Sequence, residues 1–166
     1  MNLIDLSKEW KFSQINIDID NYKIKNIYDS YPIYKAIYVA SMLNKYPKIY
    51  YRKSSNRKGI HIKIVLDEYL DIWTTFCYRA FIGDDRNRIC LDMIRISYNS
   101  IYFYYPDLIK ASEKIKNRIM VLFDGKLNRN GKWKTATKWI DISLLKLSDF
   151  TFYNKTIELG ETYKVE

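Results

Sequence analysis

Two short stretches of this chain alternate isoleucine with polar residues without a break: Ile15-Asn16-Ile17-Asp18-Ile19-Asp20 and Ile60-His61-Ile62-Lys63-Ile64. Successive side chains on a strand point to opposite faces, so each stretch buries one face and leaves polar groups on the other. Asp18, Asp20 and the chain's single histidine, His61, then share the face away from the isoleucines. A third apolar run reads the same way, with Ile89, Leu91 and Met93 inward and Arg88, Cys90 and Asp92 outward. Acids and a histidine gathered on the open side of a sheet are costly to hold together, which marks them as a candidate site.

The segments between these runs set the architecture. Ser30 can cap a helix with Pro32 in its first turn, and Ile33, Ala36, Ile37, Ala40 and Leu43 recur at helical spacing before Pro47. Residues 48–54 and 59–65 read as a hairpin around the polar, basic turn Ser54-Ser55-Asn56-Arg57-Lys58-Gly59. Asp67 is expected to cap a second helix with Leu70, Trp73, Cys77 and Ala80 as its apolar stripe and Gly83 at its end. The order is β-α-β-β-α-β. It predicts an α+β fold, an RRM-like antiparallel four-stranded sheet with both helices on one face. In that topology the first and third strands are neighbours and the fourth flanks the first.

Residues 1–96 form the expected core, and 97–166 a C-terminal α/β extension packed on the same domain. Within the extension, residues 101–105 read as a strand and 107–117 as a helix. Residues 118–123 and 133–140 read as a hairpin around Asn130-Gly131. The tail from Leu144 is weakly patterned and suited to covering a sheet edge.

Composition excludes some classes. No run of eighteen apolar residues is present, which argues against a membrane span. The start lacks a signal-peptide pattern, and Cys77 and Cys90 read as buried free thiols of a cytoplasmic protein. One histidine and two cysteines cannot build a zinc finger or ribbon. The net charge of +9 favours an anionic partner, nucleic acid being the usual one, although excess lysine also serves as solubilising surface. The richness in Ile, Lys, Tyr and Asn points to an AT-rich genome, archaeal or viral.

Two carboxylates at i and i+2 of a strand point the same way, and Asp92 from a neighbouring strand would complete an oxygen-rich pocket. Close like charges repel, a divalent cation relieves this, and hard oxygen ligands select Mg²⁺ or Mn²⁺. Such a pocket suits phosphoryl transfer. An isolated Asp-x-Asp is more often solvated charge, and an isolated histidine more often structural. Beside His61, however, the turn supplies Ser55, Arg57, Lys58 and its amides as phosphate donors. Arg88 can reach a phosphate, or pair with Asp84 and Asp85. Exposed tyrosines can stack bases, or simply pack.

These residues resemble the three motifs of the archaeo-eukaryotic primase superfamily, which includes the primase-polymerases. The first is Asp18-Ile19-Asp20, the second Ser54 through Gly59 to His61, and the third Leu91-Asp92. The resemblance covers roughly residues 15–95, and the order and compact spacing of the motifs are similar to those of the small plasmid and viral members. It implies that Asp18, Asp20 and Asp92 hold two divalent ions, Mg²⁺ or Mn²⁺. It also implies that His61, with Ser54, Ser55, Arg57 and Lys58, grips the phosphates of a nucleoside triphosphate. The implied activity is templated nucleotidyl transfer, for primer synthesis or extension on a single-stranded DNA or RNA template. The chain carries no zinc-binding segment or helicase domain. A minimal catalytic core working with a partner subunit or helicase is therefore expected, or a degenerate relative that only binds.

Two other classes fit the same face. One is a non-catalytic RRM-like binder of single-stranded nucleic acid. The other is a metal-dependent nuclease, for which the strands near these acids lack a Glu-x-Lys motif.

Overall fold

A computed structural model describes residues 10–101 and 113–153. In chain order, β1 spans Lys11–Ile19, α1 Tyr31–Leu43, β2 Lys48–Lys53 and β3 Ile60–Asp71. They are followed by α2, Ile72–Ile82, and α3, Arg86–Ile101. Three short strands come next: β4, Gly125–Leu127, β5, Trp133–Thr135, and β6, Ile140–Asp141. The main sheet is antiparallel with strand order β1-β3-β2-β6, and β4 and β5 pair as a separate ribbon. The protein is thus α+β around a four-stranded antiparallel sheet.

The isoleucine alternation builds this sheet. Ile15 and Ile17 of β1 pair with Ile64 and Ile62 of β3, and Ile49 of β2 joins the same row. All are fully buried, together with Ile33, Ala36, Ile37 and Ala40 of α1. Burying an isoleucine side chain contributes about 1.5–3 kcal/mol, so this face dominates the fold's stability. Ser30 caps α1 by accepting from the Ile33 amide, and Pro32 occupies its first turn. From the C-terminal extension, Ile142, Phe150 and Phe152 enter the same core.

Several expectations are corrected. Residues 88–93 are not a strand but lie in α3. Five alternating residues fit a helix as well as a strand, and it is the helical spacing that faces inward, with Asp92 and Ile96 buried and Ile89 partly so. Asp85 starts this helix, its carboxylate accepting from the Asn87 amide. The place beside β1 is taken instead by the α2–α3 connection. The Asp18 amide donates to the Asp84 carboxylate, the Asp85 amide donates to the Asp18 carbonyl, and Arg88 donates to the Asn16 carbonyl. Those contacts satisfy the outer edge of β1, which a fourth strand would otherwise have to cover. The fourth strand of the sheet is β6, on the far edge of β2.

The second helix is capped by Asp71, not Asp67, because β3 runs six residues further than the alternation suggests. Asp67 accepts from the Lys45 amide instead. The buried stripe of α2 is Ile72, Phe76, Arg79 and Ile82, leaving Trp73 exposed. Gly83, left-handed, ends the helix as expected.

Cys77 and Cys90 are free but exposed rather than buried, since both fall off the inward stripes of α2 and α3. The expected hairpin occurs as β4–β5, shorter and shifted relative to 118–123 and 133–140. Of the strand expected at 101–105, Ile101 ends α3 instead and 102–105 lie outside the described residues, as does most of the helix expected at 107–117; 113–116 are helical. No helix among the described residues is long and apolar enough to cross a membrane.

Candidate functional site

Register places the site. On the sheet face away from α1, Asp18 of β1, His61 of β3 and Arg52 of β2 stand side by side in one row. Asn16, Lys63 and Tyr50 form the next row. Arg52 donates from Nε to His61 Nδ1 at 3.0 Å, and from Nη1 to Asp124 at 2.6 Å. A guanidinium can only donate, so His61 Nδ1 must be the acceptor and its proton sits on Nε2. That Nε2 lies 3.5 Å from Asp18 Oδ1. Trp139 covers this face, with Arg52 and Lys63 stacked on its ring at 4.3 and 4.2 Å.

Burial and nearby cations set the charge states. Burial, reinforced by Arg52 and Arg88, pushes the His61 pKa down to about 4, so the imidazole is neutral at pH 7. Burial pushes Asp18 up to about 6, against the pull of Arg88 and with repulsion from Asp20, Asp84 and Asp85 adding to it. Asp18 Oδ1 is buried and has no hydrogen-bond partner among the described residues. A carboxylate oxygen left in that condition is costly unless a cation or donor reaches it. Because His61 is the chain's only histidine, its NMR titration is unambiguous. A midpoint near 4 is expected, against about 6.5 for a free imidazole, and a midpoint above 6 would contradict this environment.

The hairpin turn closes one side. Ser54 Oγ accepts from the Gly59 amide and donates to Asn56 Oδ1, which also accepts from the Lys58 amide. Gly59 lies against the end of β1, where a Cβ would come within 2.4 Å of the Ile19 carbonyl oxygen. Only glycine lets the turn pack this close to Asp20.

Asp18, Asp20, Ser54, Ser55, Asn56 and His61 consequently line one cleft of about 380 Å³, with Phe123, Gly125 and Lys126 on its other wall. Asp18 and Phe123 also line a neighbouring cleft of about 620 Å³, which contains Asp85, Arg88, Asp92 and Arg95.

Of the residues expected from sequence, Asp18, Asp20, Ser54, Ser55 and His61 come together. Arg57 and Lys58 do not line that cleft. The Arg57 guanidinium binds the carbonyls of Ser54 and Thr135, and most of the turn's amides are engaged within the turn. Arg88 stands beside Asp18 but pairs with Asp84 at 2.7 Å.

Asp92 is 1% exposed, on α3, with Arg79 Nη1 at 2.8 Å and Arg95 at 2.6 Å. It also accepts from the Met120 amide. Two guanidinium groups neutralise it, so it does not complete a three-carboxylate cup with Asp18 and Asp20. Sequence reading missed Arg52, Asn56, Asp85 and Lys126. Arg52 had a readable signal, since it shares the outward parity of β2 with Tyr50.

Among the described residues, no group of three or more His, Cys, Asp or Glu side chains is arranged to hold a metal ion. The fit to a cation therefore rests on Asp18 and Asp20 alone, and the unpartnered Asp18 oxygen supports it. Comparisons with protein-family models, curated proteins and solved structures give no match.

Proposed function

We propose that this cleft binds the phosphates of a nucleoside triphosphate, and that the chain is the core of a template-directed nucleotidyltransferase. The observation that carries the reading is the juxtaposition of Asp18 and His61 on neighbouring strands, with Asp20 and the Ser54–Asn56 turn on the same cleft. This arrangement agrees with the first two motifs of the archaeo-eukaryotic primases and departs from the third, because Asp92 is paired elsewhere.

Asp18 and Asp20 would hold Mg²⁺ or Mn²⁺. When bound, such an ion activates a hydroxyl nucleophile and offsets phosphate charge. The protein's own groups do the rest. Arg52 locks the His61 tautomer, so the neutral imidazole carries its proton on Nε2 and can donate it in a hydrogen bond to a phosphate oxygen. Ser55 and Lys126 face the same space and can donate to further phosphate oxygens. Arg88, beside Asp18, keeps that carboxylate more acidic than burial alone would leave it. The remaining partners on this reading are a single-stranded template and a partner subunit or helicase.

The neutralised Asp92 specifically favours a second reading, in which the cleft binds nucleotide or nucleic acid without catalysis. A synthesis assay separates the two. With template strand, nucleotides and Mn²⁺, new strand is expected from the native protein and none from Asp18→Asn. Product that survives Asp18→Asn would remove the assigned site, and absence of product from the native protein would leave the binding reading.

A further inference from the structure

The segment 125–138, Gly-Lys-Leu-Asn-Arg-Asn-Gly-Lys-Trp-Lys-Thr-Ala-Thr-Lys, carries five cations and no acid. It thus accounts for five of the chain's nine net positive charges. Lys126, Arg129, Lys132, Lys134 and Lys138 are all exposed, and none forms an ion pair among the described residues.

The segment is built, not loose. In the β4–β5 ribbon Lys126 pairs directly with Lys134, and Leu127 with Trp133. The Trp133 indole lies across Gly125, where a Cβ would come within 2.5 Å of the ring. The foot of the ribbon is tied down by Arg57 donating to the Thr135 carbonyl, and by the exchange of hydrogen bonds between Lys53 and Thr137. Like charges placed opposite each other on a ribbon repel, and an anion between them removes that cost. Lys126 itself lines the cleft of Asp18 and His61. Phe123, 73% exposed, stands at the join of the two clefts, where a base can stack on it.

We propose that the β4–β5 ribbon is a clamp for the phosphate backbone of a single strand of nucleic acid, leading that strand past Phe123 into the cleft. Lys126 and Lys134 take phosphates on one face, and Arg129 and Lys132 at the tip extend the track. A single strand rather than a duplex is the occupant, because an exposed aromatic ring can only stack on a base that is already unpaired. The direction of the strand rests on the proposed nucleotidyl-transfer cleft, but the ribbon's affinity for phosphates does not.

Fluorescence anisotropy with labelled twenty-nucleotide dT and U strands, without metal or nucleotide, tests the ribbon separately from that cleft. In Lys132→Gln/Lys134→Gln, two ribbon residues that line neither cleft, binding is expected to weaken about tenfold or more at low salt. The slope of log K against log salt should fall by about 1.4, the value for two lost single-strand phosphate contacts. DNA and RNA should lose equally, since both present the same phosphates. Both side chains are exposed, and Lys134 faces Lys126 across the ribbon, so their loss should leave the melting temperature unchanged or higher and misfolding is not an alternative cause. The charge-matched control is Lys35→Gln/Lys45→Gln, beside α1 on the opposite face, which should keep the native slope. An unchanged slope in the ribbon variant, an equal drop in the control, or tighter binding of a duplex than of a single strand would each overturn the proposal.

Discussion

Replacing Arg79 by leucine is expected to destabilise the protein by about 3–5 kcal/mol, the largest effect of any single change considered. Arg79 is fully buried, with Nε on Asp84 at 2.6 Å and Nη1 beside Asp92 at 2.8 Å. Both carboxylates are also buried. Leucine would leave each with one arginine fewer in a medium that screens charge poorly. The consequence reaches the site, because Asp84 also accepts from the Asp18 amide and from Arg88. For a chain of this size the loss corresponds to a melting point lower by about 10 °C. Urea unfolding measures it directly, and a loss below about 1 kcal/mol would show that the network is not the keystone between α2, α3 and β1.

Asp18→Asn is expected to do two things at once: raise stability at neutral pH and weaken cation binding at least about a hundredfold. The folded pKa of Asp18, about 6, lies above its ordinary value of 3.8. Between these values the folded state holds a proton that the unfolded state has released, so the native protein loses stability as pH rises from about 4 to 6. Asparagine is neutral throughout and escapes that loss. The variant should match the native protein near pH 3.5 and melt on the order of a few degrees higher at pH 7.5. His61 contributes with the opposite sign. Its pKa falls from 6.5 to about 4 on folding, so stability rises with pH across that window. The two residues offset each other in the native protein, and the rising His61 contribution becomes visible once Asp18 is removed. A site that is destabilising when empty and loses its ligand when repaired is the expected trade between stability and function.

What could be read from the sequence follows from how long each pattern ran. The isoleucine alternations of β1 and β3 were long enough to fix both the strands and their faces, and with them Asp18, Asp20 and His61 on one side. Ser30 and Gly83 were legible because caps have local chemistry. Asp92 was misread because a run as short as Ile89 to Met93 satisfies both periods, and the burial that chose the helix comes from Ile96, Ile119 and Met120. The start of α2 was misplaced because Asp67 and Asp71 are equally good caps in sequence. Only the contact of Asp67 with the Lys45 amide shows which one is taken up elsewhere. Arg52 acquires its role solely from strand register, which sets it opposite His61.

The most direct test of the account uses the lone imidazole as a reporter. Mn²⁺ is titrated into the native protein, and broadening of the His61 NMR signal is followed. If Asp18 and Asp20 hold the ion, the signal should broaden at low ion concentration. In Asp18→Asn the concentration needed should rise at least about a hundredfold, since losing a direct ligand costs more than losing a supporting contact. A His61 signal indifferent to Mn²⁺, or equally sensitive in both proteins, would contradict a cation site at this row of the sheet.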